Sequence, residues 1–126
     1  MDDLRCEIDQ PLADVEPRVR AALAAEGFGI LTEIDVAATL HAKLGVDRAP
    51  LRVLGACNPA LINEALARDP DVALALPCNV VLEALDENTT RVAIADPAQL
   101  MDDPRLADLV ADARQRLRRA LDEITS

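Results

Sequence analysis

The chain has 126 residues, is 51% hydrophobic and 29% charged, and sets 13 basic against 23 acidic residues for a net charge of −10. That length and balance fit one folded domain rather than a disordered chain. The charge repels phosphate backbones, and with no Tyr or Trp to stack on bases both features argue against nucleic acid as a partner.

No apolar run reaches the roughly 20 residues of a membrane span. The start, MDDLRCEIDQ, carries no apolar leader, so the expected location is the cytoplasm, away from membranes. The three cysteines are expected to be reduced there. Phe28 is the only aromatic residue, so the core has to be aliphatic.

In chain order, LRCEI (4–8) reads as a short strand. Leu12, Val15, Val19, Ala22 and Leu23 then recur by threes and fours, the spacing of a helix face. Asp14 is the expected N-cap, with Pro17 in the first turn and Gly27 as the closing residue. FGILTEI (28–34) is a strand by its β-branched content, and Asp35 caps a second helix, Val36 to Leu44, ended by Gly45. LRVLGAC (51–57) is a third strand with Leu51, Val53 and Gly55 on one face. A glycine there is costly unless something approaches its backbone closely.

Asn58-Pro59 opens a helix by the cap-then-proline device, with Ala60, Leu61, Ala65 and Leu66 as its apolar face and Asp69-Pro70 as its stop. NVVLEAL (79–85), the turn DENT (86–89) and TRVAIA (90–95) read as an antiparallel hairpin. Asp96-Pro97 and Asp103-Pro104 repeat the cap-then-proline device, and a long amphipathic helix comes next, over about 104–124. The whole predicts a single α+β domain over 1–126, two-layered, with a mixed β-sheet packed against helices. Some parallel pairing is expected because the strand–helix–strand connections are long enough for it.

Five blocks, GFGILTEIDV, KLGV, LGACNPAL, LPCNVVL and ADPAQLM, in this order and spacing between about residues 12 and 101, resemble the domain of unknown function 302 (DUF302) family. The long C-terminal helix is similar to that family's usual ending. The resemblance implies a small α+β fold and a homodimer, and it supplies no reaction. It singles out Glu33, Lys43, Cys57, Asn58, Pro59, Pro77, Cys78, Asn79, Asp96 and Pro97. The turn DENT departs from it in lacking a glycine, which concerns only the hairpin tip.

The candidate site rests on the repeated Cys-Asn pair. Cys57 ends a strand just before a helix start, whose positive end favours a thiolate by up to about 2 kcal/mol, enough to bring a thiol down to roughly pKa 7. Cys78 opens a strand after Pro77. If both sit at one end of the sheet, they form a redox or transfer pair, the two catalytic candidates. Each has a plainer reading as a small buried hydrophobe. Glu33, Lys43, Asn58 and Asn79 are the ligand-binding candidates, expected to converge where strand ends face helix starts. Glu33 and Lys43 read equally as a solvated strand edge and a helix-end cation.

No residue pair has the spacing of a metal site, so no metal is expected. No phosphate-cradling glycine motif identifies a cofactor, and His41, the only histidine, has no nucleophile partner. The leading expectation is therefore a cytoplasmic, homodimeric module that binds a small molecule or a partner. The alternative is a thiol-dependent redox or transfer enzyme using Cys57 and Cys78. The dimer is expected to bury part of the C-terminal helix, or a sheet edge if that helix packs on its own sheet.

Overall fold

The computed structural model describes residues 4–126. Five strands, β1 (Arg5–Ile8), β2 (Gly29–Asp35), β3 (Leu51–Cys57), β4 (Cys78–Asp86) and β5 (Thr89–Ile94), form one sheet in the order β1-β5-β4-β3-β2. Every pairing is antiparallel. The two-layer α+β arrangement is as expected, but the expected parallel pairing is overturned. A parallel partner requires a helix that crosses back over the sheet. The helix after β2, α2 (Val36–Leu44), stays beside β2 and β3 and has no fully buried residue, so it does not cross the sheet. The helix after β3, α3 (Pro59–Arg68), packs mainly on the turn that comes after it. Both connections act as long hairpin loops.

The strands alternate as half-buried strands should. Leu54, Ala56, Val80, Leu82, Val92 and Ile94 face the core. Helix α1 (Leu12–Ala25) lays Val15, Val19, Ala22 and Leu23 on that face. The long C-terminal helix α5 (Ala107–Thr125) adds Leu117, Ala120, Leu121 and Ile124. Its stripe is thus buried within its own chain. Each such Leu or Ile contributes about 1.5–3 kcal/mol by leaving water. On the opposite face Ile34, Val53, Val81 and Ala93 form one cross-strand row.

The core is not one piece. A second apolar cluster, Ala65, Val72, Leu106, Leu109 and Val110, sits under α3 and the first turns of α5. Between them the chain runs through short elements: a 3-10 helix (Pro70–Ala75), the four-residue helix α4 (Pro97–Leu100) and a 3-10 turn (Pro104–Leu106). Each begins with proline after an aspartate whose side chain accepts from a backbone N–H two residues on.

One cap is placed differently from expectation. α1 starts at Leu12, with Asp14 N and Val15 N donating to the Pro11 carbonyl at 2.9 and 3.1 Å. Asp14 therefore lies in the first turn and Pro17 in the second.

Candidate functional site

β3 and β4 end side by side, with Ala56 opposite Cys78 and Gly29 of β2 opposite Cys57. The two Cys-Asn segments thus meet at one rim of the sheet. Cys57, Asn58 and Cys78 line a cavity of about 40 Å³ whose wall is otherwise apolar. Phe28, Ala56 and Leu117 supply it from the main core, and Ala65, Leu109 and Val110 from the second cluster. Its outer side is closed by Leu76, Leu100, Met101 and Leu106, all on or beside the short elements.

Asn58 is buried at 7% exposure and spends both ends of its amide. Oδ1 accepts from Leu61 N at 3.2 Å, the N-cap bond of α3, and Nδ2 donates to the Glu26 carbonyl at 3.4 Å. It ties the β3–α3 corner to the end of α1. Gly27, with φ +86°, leaves room for it, since a Cβ there would lie 2.9 Å from Asn58 Nδ2. Gly55 has the same kind of reason. A Cβ would meet Thr32 Oγ1 and would lie 2.5 Å from Pro77 Cγ. Pro77, joined to Leu76 by a cis peptide, covers the outer surface of β3 just before Cys78 enters β4.

Cys78 Sγ donates to the Ala95 carbonyl at 3.2 Å. Burial, with the nearby Asp96 carboxylate adding to it, pushes this thiol up to about 11. Burial also pushes Cys57 up. That direction opposes the lowering which the start of α3 would give. Cys6, on β1, is raised by burial too. All three cysteines are free thiols. Asp96 caps α4 through Ala98 N at 2.9 Å and pairs with Arg114 Nε at 3.1 Å, which fastens α4 to α5 above the cavity.

The other candidates lie elsewhere. Glu33 and Lys43 share a shallow groove between β2 and α2 with Ile34, Asp35, Ala38 and Thr39. Glu33 already pairs with Arg20 and lies 3.8 Å from Arg52. Glu16 joins the same cluster, 3.1 Å from Arg20 and 2.9 Å from Arg52 Nε. That last contact is an ion pair without hydrogen-bond alignment, which leaves the buried Nε without a hydrogen bond. Four charges of alternating sign thus close this flank of the core. Asn79 is exposed on the opposite face of the sheet, beside Gly55. The structure brings Cys57, Asn58 and Cys78 together and does not bring Glu33, Lys43 or Asn79 to them.

What sequence reasoning missed is the apolar wall. The signals were present: the lone aromatic Phe28, and the faces of α3 and α5, which have to meet where the cap-then-proline turns bring them together. Among the described residues no group of three His, Cys, Asp or Glu is placed to hold a metal, and no helix is long and apolar enough to cross a membrane.

A search of curated proteins gives no match. Among solved structures, the chain is similar to an uncharacterized conserved DUF302 protein from Bacillus stearothermophilus, with a TM-score of 0.84, 29% identity and 94% of each chain covered. The model of the family described as domain of unknown function DUF302 matches residues 4–124. Matched over nearly its whole length, and folded like a solved member, the chain belongs to the DUF302 family.

Proposed function

We propose that this chain is a cytoplasmic small-molecule-binding module that works as a homodimer, and that its site is the cavity at the β3–β4 rim. One observation carries the reading: Cys57, Asn58 and Cys78, from two separate stretches of the sequence, line one apolar cavity at the seam of the two core clusters. Strand ends beside helix starts are where ligands tend to sit on sheets, and apolar cavities with few polar groups are the usual form of small-molecule sites. The raised thiols favour binding over covalent chemistry, because the thiolate is the nucleophile.

Dimerisation is assigned to the β2 edge, since α5 is spent on its own core. Leu31 and Ile34 are exposed there at 67% and 49%. Leu31→Lys, which removes no core contact, is expected to shift the species seen by analytical ultracentrifugation from dimer to monomer without lowering the melting temperature. An unchanged sedimentation profile places the interface elsewhere.

The ligand reading is tested by a thermal-shift screen of metabolites. A ligand held at 100 times its Kd stabilises by about 2.7 kcal/mol. Ala113→Met, which extends a flexible side chain into the cavity, is expected to abolish that shift. Retention of the full shift in this variant puts the site outside the cavity.

A further inference from the structure

We propose that the cavity takes a short, unbranched alkyl chain whose head group is not anionic, an inference that rests on the binding reading above. The wall decides the chemistry. Asn58 has both amide ends engaged, and the Cys78 thiol is bonded to the Ala95 carbonyl. Cys57 adds only a thiol, a weak donor. Beyond these three residues the wall is apolar, so it favours an apolar occupant, and a charged group inside it would be left unpaired. By the same measure one water occupies about 10–15 Å³. A cavity of about 40 Å³ therefore has the size of a few carbons in single file, not of a ring.

The way in is also marked. Ala75, Leu100, Met101 and Leu106 line both the cavity and a neighbouring surface depression that carries Asp69, Asp71, Asp102 and Asp103. Ala75, Leu100 and Leu106 lie on elements of at most six residues, and Met101 directly follows one of them. Leu100 is 44% exposed, at the boundary between the two. A chain entering here leaves its head group among aspartates. Arg105 neutralises Asp69 and Asp103 in part, at 3.2 and 2.7 Å. A carboxylate head still meets like charge from Asp71 and Asp102, while a hydroxyl or ammonium head does not.

The intact chain carries its own reporters. Phe28 is the sole aromatic residue, so biosynthetic 4-fluorophenylalanine gives one fluorine resonance from the cavity wall. Met101, labelled with ¹³C at its methyl and assigned with Met101→Leu, reports from the mouth. The probes are 1-alkanols from ethanol to hexanol, with hexylamine and hexanoate as head-group controls. Both resonances are expected to shift saturably. Affinity should rise about fourfold per added methylene, the equivalent of about 0.8 kcal/mol, until the cavity is full, and then level off. Hexanoate should bind at least tenfold more weakly than hexylamine.

Three results overturn the proposal: no saturable shift at either reporter, affinity independent of chain length, or hexanoate binding as well as hexylamine. If the alkanols fail but a polar metabolite shifts both reporters, the alkyl assignment falls and the cavity remains the site. If a metabolite binds and neither reporter moves, both readings fall together.

Discussion

Pro77 closes over Gly55: the ring packs against the outer surface of β3 where a side chain would otherwise stand, and a Cβ at residue 55 would lie 2.5 Å from Pro77 Cγ. Thr32 Oγ1 crowds the same point from β2. Neither neighbour is a freely moving chain end, because both belong to segments paired to β3 on either side or leading into that pairing. Gly55→Ala is therefore expected to destabilise by about 1–3 kcal/mol, the usual cost of overpacking. Urea denaturation checks this. A loss below about 0.5 kcal/mol would mean that β2 or Pro77 gives way without cost.

Asn58 separates two contributions that one substitution would confuse. Asn58→Ala removes the cap of α3 and the bond to the Glu26 carbonyl. The cap alone is worth about 1 kcal/mol, and the bond to the Glu26 carbonyl, which also accepts from Arg116 at 3.5 Å and so keeps a partner, about 0.5–1.5 kcal/mol. The expected total is about 1.5–2.5 kcal/mol. Asn58→Asp keeps the capping oxygen but sets a carboxylate against the Glu26 carbonyl, so it should recover little of the loss. If Asn58→Asp is as stable as the parent chain, the bridge to Glu26 is not a stabilising contact.

The linear order of elements was legible because its punctuation is local. Asp35, Asn58, Asp96 and Asp103 each cap the helical segment immediately after them, and Gly27 and Gly45 sit at the positive φ values that helix ends require. Strand direction was not legible. Whether α2 folds over the sheet depends on tertiary contact, and a helix with apolar residues all along it, Val36, Leu40 and Leu44 among them, gave no sign that none of them would be fully buried. The meeting of Cys57 and Cys78 was legible because both stand at strand ends. Their ionisation was not, since the helix end is visible in sequence but burial is a property of the packed chain. Glu33 was singled out as a ligand group, yet its partners Arg20 and Arg52 come from other elements and appear only once these are packed.

Leu117 and Leu100 line the same cavity at very different depths and should behave differently. Leu117 is fully buried at the seam of the core, whereas Leu100 is at the exposed mouth. Leu117→Ala opens a hole that merges with the existing cavity, so the surroundings have little to collapse onto. A loss of about 3–5 kcal/mol is expected, the upper part of the range for such truncations. Leu100→Ala is expected to cost about 0.5 kcal/mol or less. Equal losses in thermal and urea unfolding would show that the mouth is packed as firmly as the seam.

Cys78 links stability to pH with a definite sign. Its thiol ionises at about 11 in the folded chain, against an ordinary value of 9.0. Below pH 9 both folded and unfolded chains keep the proton, and the contribution is fully present. Between pH 9 and 11 the unfolded chain releases a proton that the folded chain retains, so stability falls as pH rises. Above that window the contribution is lost, a total of about 2–3 kcal/mol. The check is the difference in unfolding free energy between the parent chain and Cys78→Ala across pH 8 to 11, which cancels groups common to both. That difference should move against the parent chain as pH rises, and two parallel curves would show that Cys78 keeps its ordinary ionisation. Burial is the larger cause of the raised value and the Asp96 carboxylate the smaller. Asp96→Asn should therefore move the ionisation of Cys78 partway down, seen as an earlier rise in thiolate absorbance with pH. No movement would assign the whole effect to burial.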